Sequence, residues 1–264
     1  MNRKTLFSKL KRIVVKIGTN VLTTSNNRLD TSIIEHIVEQ ISYLVKKKGK
    51  EVVIVTSGAI AAGMQILGWE RRPKKLNMLQ AAASVGQSRL MRVYERIFRE
   101  EGLNVGQILL TRDVLTTPER RLYAKNTLFT LLKYSVVPII NENDSVAVEE
   151  IKFGDNDILS SFVVDLIDAD LLIILSDVDG VFTDDPKKNK GKMIKEVKEI
   201  SKLEELIKVG VHSAKGIGGI KSKIEAAKFV TSKKKYCVIL NGKRNYCIKK
   251  LIEGEKIGTI FYPQ

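Results

Sequence analysis

Short apolar runs alternate with stretches of helical periodicity along most of the chain. Strands that are apolar on both faces need a cover on both faces, and a parallel sheet flanked by helices provides it. The pattern therefore predicts one α/β domain, a three-layer αβα sandwich with a mostly parallel central sheet. The predicted strands are Arg12 to Gly18, Glu51 to Thr56, Val105 to Leu110, Val136 to Ile140, Leu171 to Leu175 and Cys237 to Leu240.

Two segments show the clearest helical periodicity. Ser32 to Lys48 has apolar residues three and four apart, starts with Ser32 and Glu35 in the positions of a capping box, and ends at Gly49. Leu76 to Glu100 predicts a second, longer helix. Val146 to Lys152 instead alternates apolar and polar residues, which predicts a half-exposed hairpin arm.

The composition limits the class of protein. The chain has 264 residues, 44% of them hydrophobic, which suits one α/β domain with a large core. The absence of a long apolar run and of a signal-peptide pattern predicts a cytoplasmic protein. The net charge of +15 comes from dispersed lysines without interleaved aromatic residues, which favours a solvated basic surface over nucleic-acid binding.

Cysteine and histidine are scarce. Cys237 and Cys247 are expected to be free thiols in a chain of this compartment and size. His36 and His212 are far apart in the sequence and have no neighbouring cysteine pair. The sequence therefore predicts no transition-metal site.

Two motifs lie at the ends of the first two predicted strands, at the sheet edge where such folds bind ligands. Lys16 precedes Gly18 and is costly to bury without an anionic partner, so it is read as a lysine aimed at a phosphoryl group or as an edge lysine that reaches water. Ser57 and Gly58 precede a small-residue helix, which fits either an anion site at a helix N-terminus or close helix packing. A Walker A loop and a nucleophilic-serine motif are both missing.

Two clusters rich in acids and amides come next in the chain. Asn141 to Asp144 follows a predicted strand, and Phe153 to Asp157 is expected to open a helix. Such side chains can hold an ammonium group by charge and hydrogen bonds. Each cluster alone is equally well explained as turn and helix-capping chemistry, since Asn and Asp favour both. Together, after strand ends, they indicate a polar pocket.

The last two motifs suit a nucleotide. Ser176 and Asp177 begin an Asp- and Gly-rich turn after a predicted strand, although a plain strand exit explains either residue alone. Gly216 to Lys223 is a glycine-rich segment with two lysines, expected as a loop before a helix from Ile224 to Val230. A loop of this kind at a helix start is a phosphate-binding arrangement.

The order of these six motifs resembles the amino acid kinase family, and within it the group that phosphorylates the side chain of glutamate. The resemblance spans about Arg12 to Asn241. The TSGA segment separates this group from acetylglutamate and uridylate kinases, which have GGG there. The segments that carry the resemblance are VVKIGTNVLT, VTSGAIAAG, AAASVGQSRLM, AKNTL, NENDSV, FGDNDILS, LSDVDGVFTDDP and GIGGIKSK.

The resemblance implies the amino acid kinase fold, with lobes at about 1–170 for glutamate and 171–264 for the nucleotide. It implies ATP with Mg²⁺ as donor, L-glutamate as acceptor, and L-glutamyl 5-phosphate as product in the first step of proline biosynthesis. It also implies a homo-oligomer, a dimer or tetramer, and feedback inhibition by proline. The chain ends at Gln264, too early for the C-terminal PUA domain that many relatives carry.

The resemblance also implies residue roles. Lys16 contacts the transferred phosphoryl group, Lys223 is the second catalytic cation, and Asp157 holds both lysines. Ile217 and Ile220 replace a threonine and a methionine of the family loop, so a hydroxyl contact would be lost at Ile217. The glutamate-binding residues are Ser57, Asp144 and Asn156, and the nucleotide-binding residues are Lys16, Ser176, Asp177, Ile217, Gly218, Gly219, Ile220, Lys221, Ser222 and Lys223.

Two alternative functions stay open. One is a relative that phosphorylates another carboxylate or a carbamate, such as acetylglutamate, aspartate or carbamate. The other is a nucleic-acid-binding or regulatory module that kept the fold but not the chemistry, against which intact Lys16, Asp157 and Lys223 argue.

A glutamate side chain is already anionic at neutral pH, so the kinase reaction needs no general base.

Overall fold

The central element of the fold is an eight-stranded sheet with the order β3-β4-β2-β1-β5-β9-β10-β8. The structure is a computed structural model, which describes residues 2–146, 156–183, 191–203 and 217–264. The pairs from β3 to β9 are parallel, β10 is antiparallel to β9, and β8 is parallel to β10. The predicted mostly parallel sheet is therefore confirmed. Its strands are β1 (Arg12–Ile17), β2 (Glu51–Val55), β3 (Asn104–Leu110), β4 (Val136–Glu142), β5 (Leu171–Ser176), β8 (Glu196–Val197), β9 (Tyr236–Asn241) and β10 (Thr259–Phe261), while β6 (Val181–Phe182) and β7 (Met193–Ile194) pair separately.

Helices cover both faces of this sheet, as the three-layer prediction requires. Described helices are α1 (Arg3–Lys9), α2 (Thr19–Leu22), α3 (Thr31–Lys48), α4 (Ala59–Ile66), α5 (Leu76–Glu100), α6 (Arg112–Thr116), α7 (Pro118–Lys133), α8 (Asn156–Leu166), α9 (Ile217–Ser232) and α10 (Cys247–Ile252). None of these described helices is long and apolar enough to cross a membrane. Both cysteines are free and buried, as expected.

The residues of β1 alternate between two hydrophobic clusters. Ile13, Val15 and Ile17 belong to the cluster that includes α3 and α5. Val14 belongs to the opposite cluster, which includes apolar residues of α8 and α9. Because successive side chains of a strand point to opposite faces, Lys16 shares the face of Val14. The strand period thus directs Lys16 towards α8 and α9.

Helix α3 starts earlier than the sequence predicted. Its N-cap is Asp30, whose carboxylate accepts hydrogen bonds from the backbone N–H groups of Ser32 and Ile33. The predicted capping box at Ser32 and Glu35 is therefore wrong, because an N-cap carboxylate two residues earlier already satisfies these donors. The helix ends at Gly49 in the left-handed conformation (φ 60°), as predicted.

Helices α4 and α5 pack at the distance that only glycine permits. A Cβ atom on Gly63 would lie 1.8 Å from the carbonyl oxygen of Ala82, and one on Gly86 would lie 1.8 Å from that of Ala59. The small residues after Ser57 therefore do serve helix packing. The same contact sets the position of α5 beside the turn at Ser57 and Gly58.

The predicted hairpin arm from Val146 to Lys152 lies outside the described residues except for Val146, which is exposed.

Candidate active site

Two lysines meet on a single buried carboxylate. The Lys16 Nζ atom lies 2.6 Å from Oδ1 of Asp157. The Lys223 Nζ atom lies 3.0 Å from Oδ2 of the same residue. The side chains of Lys16 and Lys223 are 4% and 14% exposed. Since the two oxygens belong to one carboxylate, the structure brings together three residues that the sequence predicted separately.

The fold explains why these residues converge. Lys16 lies near the carboxyl end of β1, Asp157 in the first turn of α8, and Lys223 in the second turn of α9. Beyond Lys16 the backbone N–H of Gly18 donates to the Leu175 carbonyl at 3.1 Å. A Cβ atom on Gly18 would lie 3.2 Å from that carbonyl and 3.6 Å from the Lys16 amine. Glycine therefore keeps open the space beside the ammonium group.

The Asp157 carboxylate stays charged although it is buried. Burial opposes ionisation, but the ammonium groups of Lys16 and Lys223 outweigh it and hold the pKa of Asp157 below its ordinary value. The Ser222 hydroxyl also donates to Oδ2 at 3.0 Å. Two cations and one anion leave the cluster with one net positive charge, which suits an anionic ligand.

The glycine-rich segment differs from its prediction. Residues 217 to 223 were expected as a loop, but they form the first turns of α9, so the loop assignment is wrong. Ser222 and Lys223 hold this helix start to Asp157 of the neighbouring helix α8, which offsets the low helix propensity of two adjacent glycines. The Gly219 carbonyl accepts from Lys223 at 3.0 Å. Lys221 is 74% exposed and does not join the cluster.

A second group of polar side chains surrounds Asn156, which is fully buried. Its Nδ2 atom donates to the Thr56 carbonyl at 2.7 Å, to the Asn141 Oδ1 atom at 2.9 Å and to the Ser57 hydroxyl at 3.1 Å. Asn141 in turn donates from Nδ2 to Gln87 Oε1 at 2.9 Å. The ends of β2 and β4 and the start of α8 thus form one hydrogen-bonded site that contains the predicted Ser57 and Asn156.

Asp144 lies three residues after Asn141 and is buried. Its burial and the nearby Glu142 carboxylate raise the pKa of Asp144 to about 7, against the opposing effect of Arg72. Its Oδ1 atom has no hydrogen-bond partner within the part of the chain that the structure describes. An unpaired buried carboxylate favours a cationic partner. A substrate ammonium group would supply that charge.

Two of the predicted nucleotide-binding residues, Ser176 and Asp177, lie at the carboxyl end of β5, next to β1. The Ser176 hydroxyl donates to Asp177 Oδ1 at 3.3 Å, and Asn20 donates to Asp177 Oδ2 at 3.1 Å. Farther along the turn, Asp179 accepts from Arg244 at 3.0 Å. The structure therefore places this turn directly beside the strand that carries Lys16.

Sequence reasoning placed Asn141 in a predicted polar cluster, but it gave no individual role to Asn141, Gln87 or Asn20. Gln87 and Asn141 complete the network of Asn156, and Asn20 supports Asp177. Asn141 and Gln87 occur in the NENDSV and AAASVGQSRLM segments, but a single amide on a long helix has no distinguishing local pattern. Only the contact across 54 residues of sequence identifies Gln87.

Residues 11–241 match the Amino acid kinase family, and the chain belongs to that family. Within it, the chain groups with glutamate 5-kinases. It is 48% identical to the Glutamate 5-kinase of Caldanaerobacter subterraneus subsp. tengcongensis over 255 residues, which are 96% of this chain and 68% of that protein. It is 44% identical to the Glutamate 5-kinase of Alkaliphilus metalliredigens over 257 residues, which are 97% of each chain.

A solved structure with the amino acid kinase fold is similar to this one. The structure of a carbamate kinase from Giardia lamblia bound to AMP-PNP superposes with a TM-score of 0.68 over 97% of this chain and 99% of that one. The two sequences are 18% identical. This similarity confirms the predicted amino acid kinase fold.

Proposed function

We propose that this chain transfers the γ-phosphoryl group of ATP to the side-chain carboxylate of L-glutamate and releases L-glutamyl 5-phosphate. In this role it is a cytoplasmic enzyme and catalyses the first step of proline biosynthesis. The similarity to glutamate 5-kinases over nearly the whole chain supports this assignment. The observation that carries the chemistry is the convergence of Lys16 and Lys223 on Asp157.

The reaction must bring two anions together, and the lysine pair addresses that problem. The acceptor carboxylate is ionised at neutral pH and can attack phosphorus directly. Lys16 and Lys223 offset the charge that spreads over the phosphoryl oxygens and the leaving ADP. Asp157 fixes the two ammonium groups before the reactants arrive, so little reorganisation is needed at the moment of transfer.

The acceptor occupies the site around Asn156. Asp144 is the carboxylate that pairs with the substrate ammonium, and Asn156 supplies a second acceptor for it. The Ser57 hydroxyl oxygen accepts from Asn156, so its proton points elsewhere and can be donated to a substrate carboxylate. The start of α4 lies directly after this residue, where backbone N–H groups favour anions.

The nucleotide lies over the carboxyl ends of β5 and β9, beside Ser176 and Asp177, with its phosphates towards the start of α9. Mg²⁺ bound with the nucleotide would supply further charge neutralisation at its phosphates. The described part of the chain has no group of three or more His, Cys, Asp or Glu side chains placed to hold a metal. An ion that enters with the nucleotide would be held by phosphate oxygens and water, with few protein ligands, as is usual for Mg²⁺ with nucleotides.

Trapping the acyl phosphate with hydroxylamine tests the proposal. The purified chain is incubated with ATP, Mg²⁺ and L-glutamate, and we expect hydroxamate to form in proportion to ADP. Acetylglutamate, aspartate and carbamate serve as competing acceptors in parallel ADP-release assays. A preference for one of these acids over L-glutamate would replace the proposed substrate. Salt-dependent RNA binding without turnover of any acid would favour the non-enzymatic alternative.

Two further properties belong to the same proposal. Proline would act as a feedback inhibitor that competes at the glutamate pocket, which inhibition kinetics at several glutamate concentrations would reveal. The active form would be a homo-oligomer, a dimer or tetramer, which light scattering of the purified protein measures.

A further inference from the structure

The side chains of Asn156, Asn141 and Gln87 form a hydrogen-bonded amide chain. At two points a backbone group determines which atom of an amide donates and which accepts. The Thr56 carbonyl can only accept, so the atom of Asn156 that contacts it at 2.7 Å must be the nitrogen. The Glu142 N–H can only donate, so the atom of Asn141 that contacts it at 2.9 Å must be the oxygen. The orientation of both amides therefore follows from their partners and does not depend on how oxygen and nitrogen were assigned.

The third amide is oriented by the second. With its oxygen turned to Glu142 and Asn156, Asn141 presents Nδ2 to Gln87 at 2.9 Å. Gln87 must accept this bond with its oxygen, which directs its own Nε2 away from Asn141. Among the described residues, this amide chain therefore has an unpaired group at each end, a donor on Gln87 and an acceptor on Asn156.

Both of these end atoms, and one carboxylate oxygen nearby, are buried and have no hydrogen-bond partner among the residues that the structure describes. Within the described residues these atoms are Gln87 Nε2, Asn156 Oδ1 and Asp144 Oδ1. Asn156 is fully buried and Asp144 is 5% exposed. Buried polar atoms are nearly always paired in folded proteins, so unpaired atoms at a site call for a ligand that completes them. One donor and two acceptors match a carboxylate and an ammonium group.

We infer that Gln87 is a further substrate-binding residue, whose Nε2 atom binds the α-carboxylate of the amino acid while Asn156 and Asp144 bind its α-ammonium. The inference rests on the proposed function and adds the basis of its specificity. Asn141 acts as a positioning residue, because it fixes which atom of Gln87 faces the substrate. The site thereby selects a free, zwitterionic α-amino acid over acceptors that lack either group or carry an acyl group on the nitrogen.

A pair of substrates isolates the proposed contact. 4-Aminobutanoate is L-glutamate without its α-carboxylate, and it keeps both the amino group and the acceptor carboxylate. We expect Gln87→Leu to lower kcat/KM for L-glutamate by roughly 10- to 100-fold, the range for a hydrogen bond to a charged group. The value for 4-aminobutanoate should stay unchanged, so the ratio between the two substrates collapses. If 4-aminobutanoate turns over too slowly, its inhibition constant against L-glutamate gives the same comparison.

Two conservative variants guard against a folding defect. Gln87→Glu keeps the oxygen that accepts from Asn141 but replaces the donor with an anionic oxygen. It should lower kcat/KM for L-glutamate more than kcat/KM for 4-aminobutanoate. Asn141→Asp keeps the oxygen that faces Asn156 and Glu142 but presents an acceptor to Gln87, which should turn the Gln87 amide around. It should lower the same substrate ratio. Gln65→Leu, at an exposed position of α4, is the matched control.

The outcomes separate the inference from the proposed function. If the Gln87 and Asn141 variants lower kcat/KM for both substrates equally, the amide chain has only a structural role and the inference fails. If the wild-type chain forms no hydroxamate from L-glutamate, the proposed function fails instead. A collapse of the ratio in the variants, with unchanged kinetics in Gln65→Leu, supports both.

Discussion

The ammonium group of Lys16 and the carboxylate of Asp157 lie 2.6 Å apart in the interior of the sheet–helix interface, and both side chains are almost fully buried. Lys223 reaches the other oxygen of the same carboxylate at 3.0 Å. A buried charge pair contributes little to stability compared with well-packed apolar side chains. We propose instead that Asp157 holds the two lysine ammonium groups in place for an anionic ligand.

Lys223→Ala is expected to lower kcat by roughly 10²- to 10³-fold, the range for loss of one preorganised donor. The affinity for L-glutamate should change far less, because the lysine acts on phosphoryl charge that develops in the transition state. Steady-state kinetics with L-glutamate and ATP measures both quantities. Lys202→Ala, which removes a surface lysine paired with Glu199, is the control, and an unchanged kcat in Lys223→Ala would remove the proposed role.

Asp157→Asn should both destabilise the protein and abolish most of its activity. The variant leaves two ammonium groups facing each other without a counter-charge in a buried site, which costs about 3–5 kcal/mol. Denaturant unfolding monitored by circular dichroism measures the free energy of unfolding. Wild-type stability in this variant would mean that the lysines separate freely and that Asp157 does not hold them.

The same carboxylate predicts how wild-type stability depends on pH. The pKa of Asp157 is lowered in the folded state, because Lys16 and Lys223 outweigh its burial. Its stabilising contribution is therefore present above the unfolded-state pKa of about 4 and is lost as pH falls through the lower folded-state value. Unfolding free energies measured across the acid range should show this loss in the wild type, and Asp157→Asn should not show it.

Asp144 predicts a different dependence, on the binding of L-glutamate. Burial and the Glu142 carboxylate raise the pKa of Asp144 to about 7 against the opposing effect of Arg72. Only the ionised form pairs with the substrate ammonium, so the apparent Kd should rise about tenfold for each pH unit below that pKa. Calorimetry in buffers with different ionisation enthalpies should detect proton release on binding near neutral pH.

The raised pKa of Asp144 also affects folding, with the opposite sign to Asp157. The folded state keeps the proton that the unfolded chain loses near pH 4, so this residue lowers the free energy of unfolding as pH rises towards about 7. Asp144→Asn should remove both effects. A Kd for L-glutamate that follows pH in Asp144→Asn as it does in the wild type would assign the dependence to another group.

Gly63→Ala is expected to reduce the free energy of unfolding by about 1–3 kcal/mol or more, the range for overpacking a close contact. The added Cβ atom would lie 1.8 Å from the Ala82 carbonyl, so α4 and α5 must separate. Because α5 carries Gln87, KM for L-glutamate should rise as well. Thermal unfolding and kinetics measure the two effects. Ser84→Ala, at an exposed position of α5, is the control and should neither destabilise the protein nor raise KM.

The sequence predicted those parts of the fold that depend on local pattern. The alternation of apolar runs with helices was sufficient for the sheet, and α5 was predicted with its observed limits, Leu76 and Glu100. The burial cost of a lysine within β1 pointed to an anionic partner for Lys16. In the structure that partner is Asp157, one of the residues that the motifs had singled out.

The sequence failed where contacts between distant segments decide the structure. Gly218 and Gly219 weaken helix propensity locally, and only the bonds of Ser222 and Lys223 to Asp157 explain why α9 already begins at Ile217. The role of Gln87 depends on the side chain of Asn141, which itself depends on Asn156. No local rule connects these three residues.

The distance along the chain between the two lysines has a consequence for protein synthesis. A nascent chain that has left the ribosome as far as α8 already contains Lys16 and Asp157. Lys223 is not yet present, because it lies 66 residues after Asp157 in the sequence. Until then the carboxylate has a single cation, and β9, the strand beside β5, has not been made. Under the proposed mechanism, unfinished chains therefore cannot yet present the pair of cations that would offset phosphoryl charge.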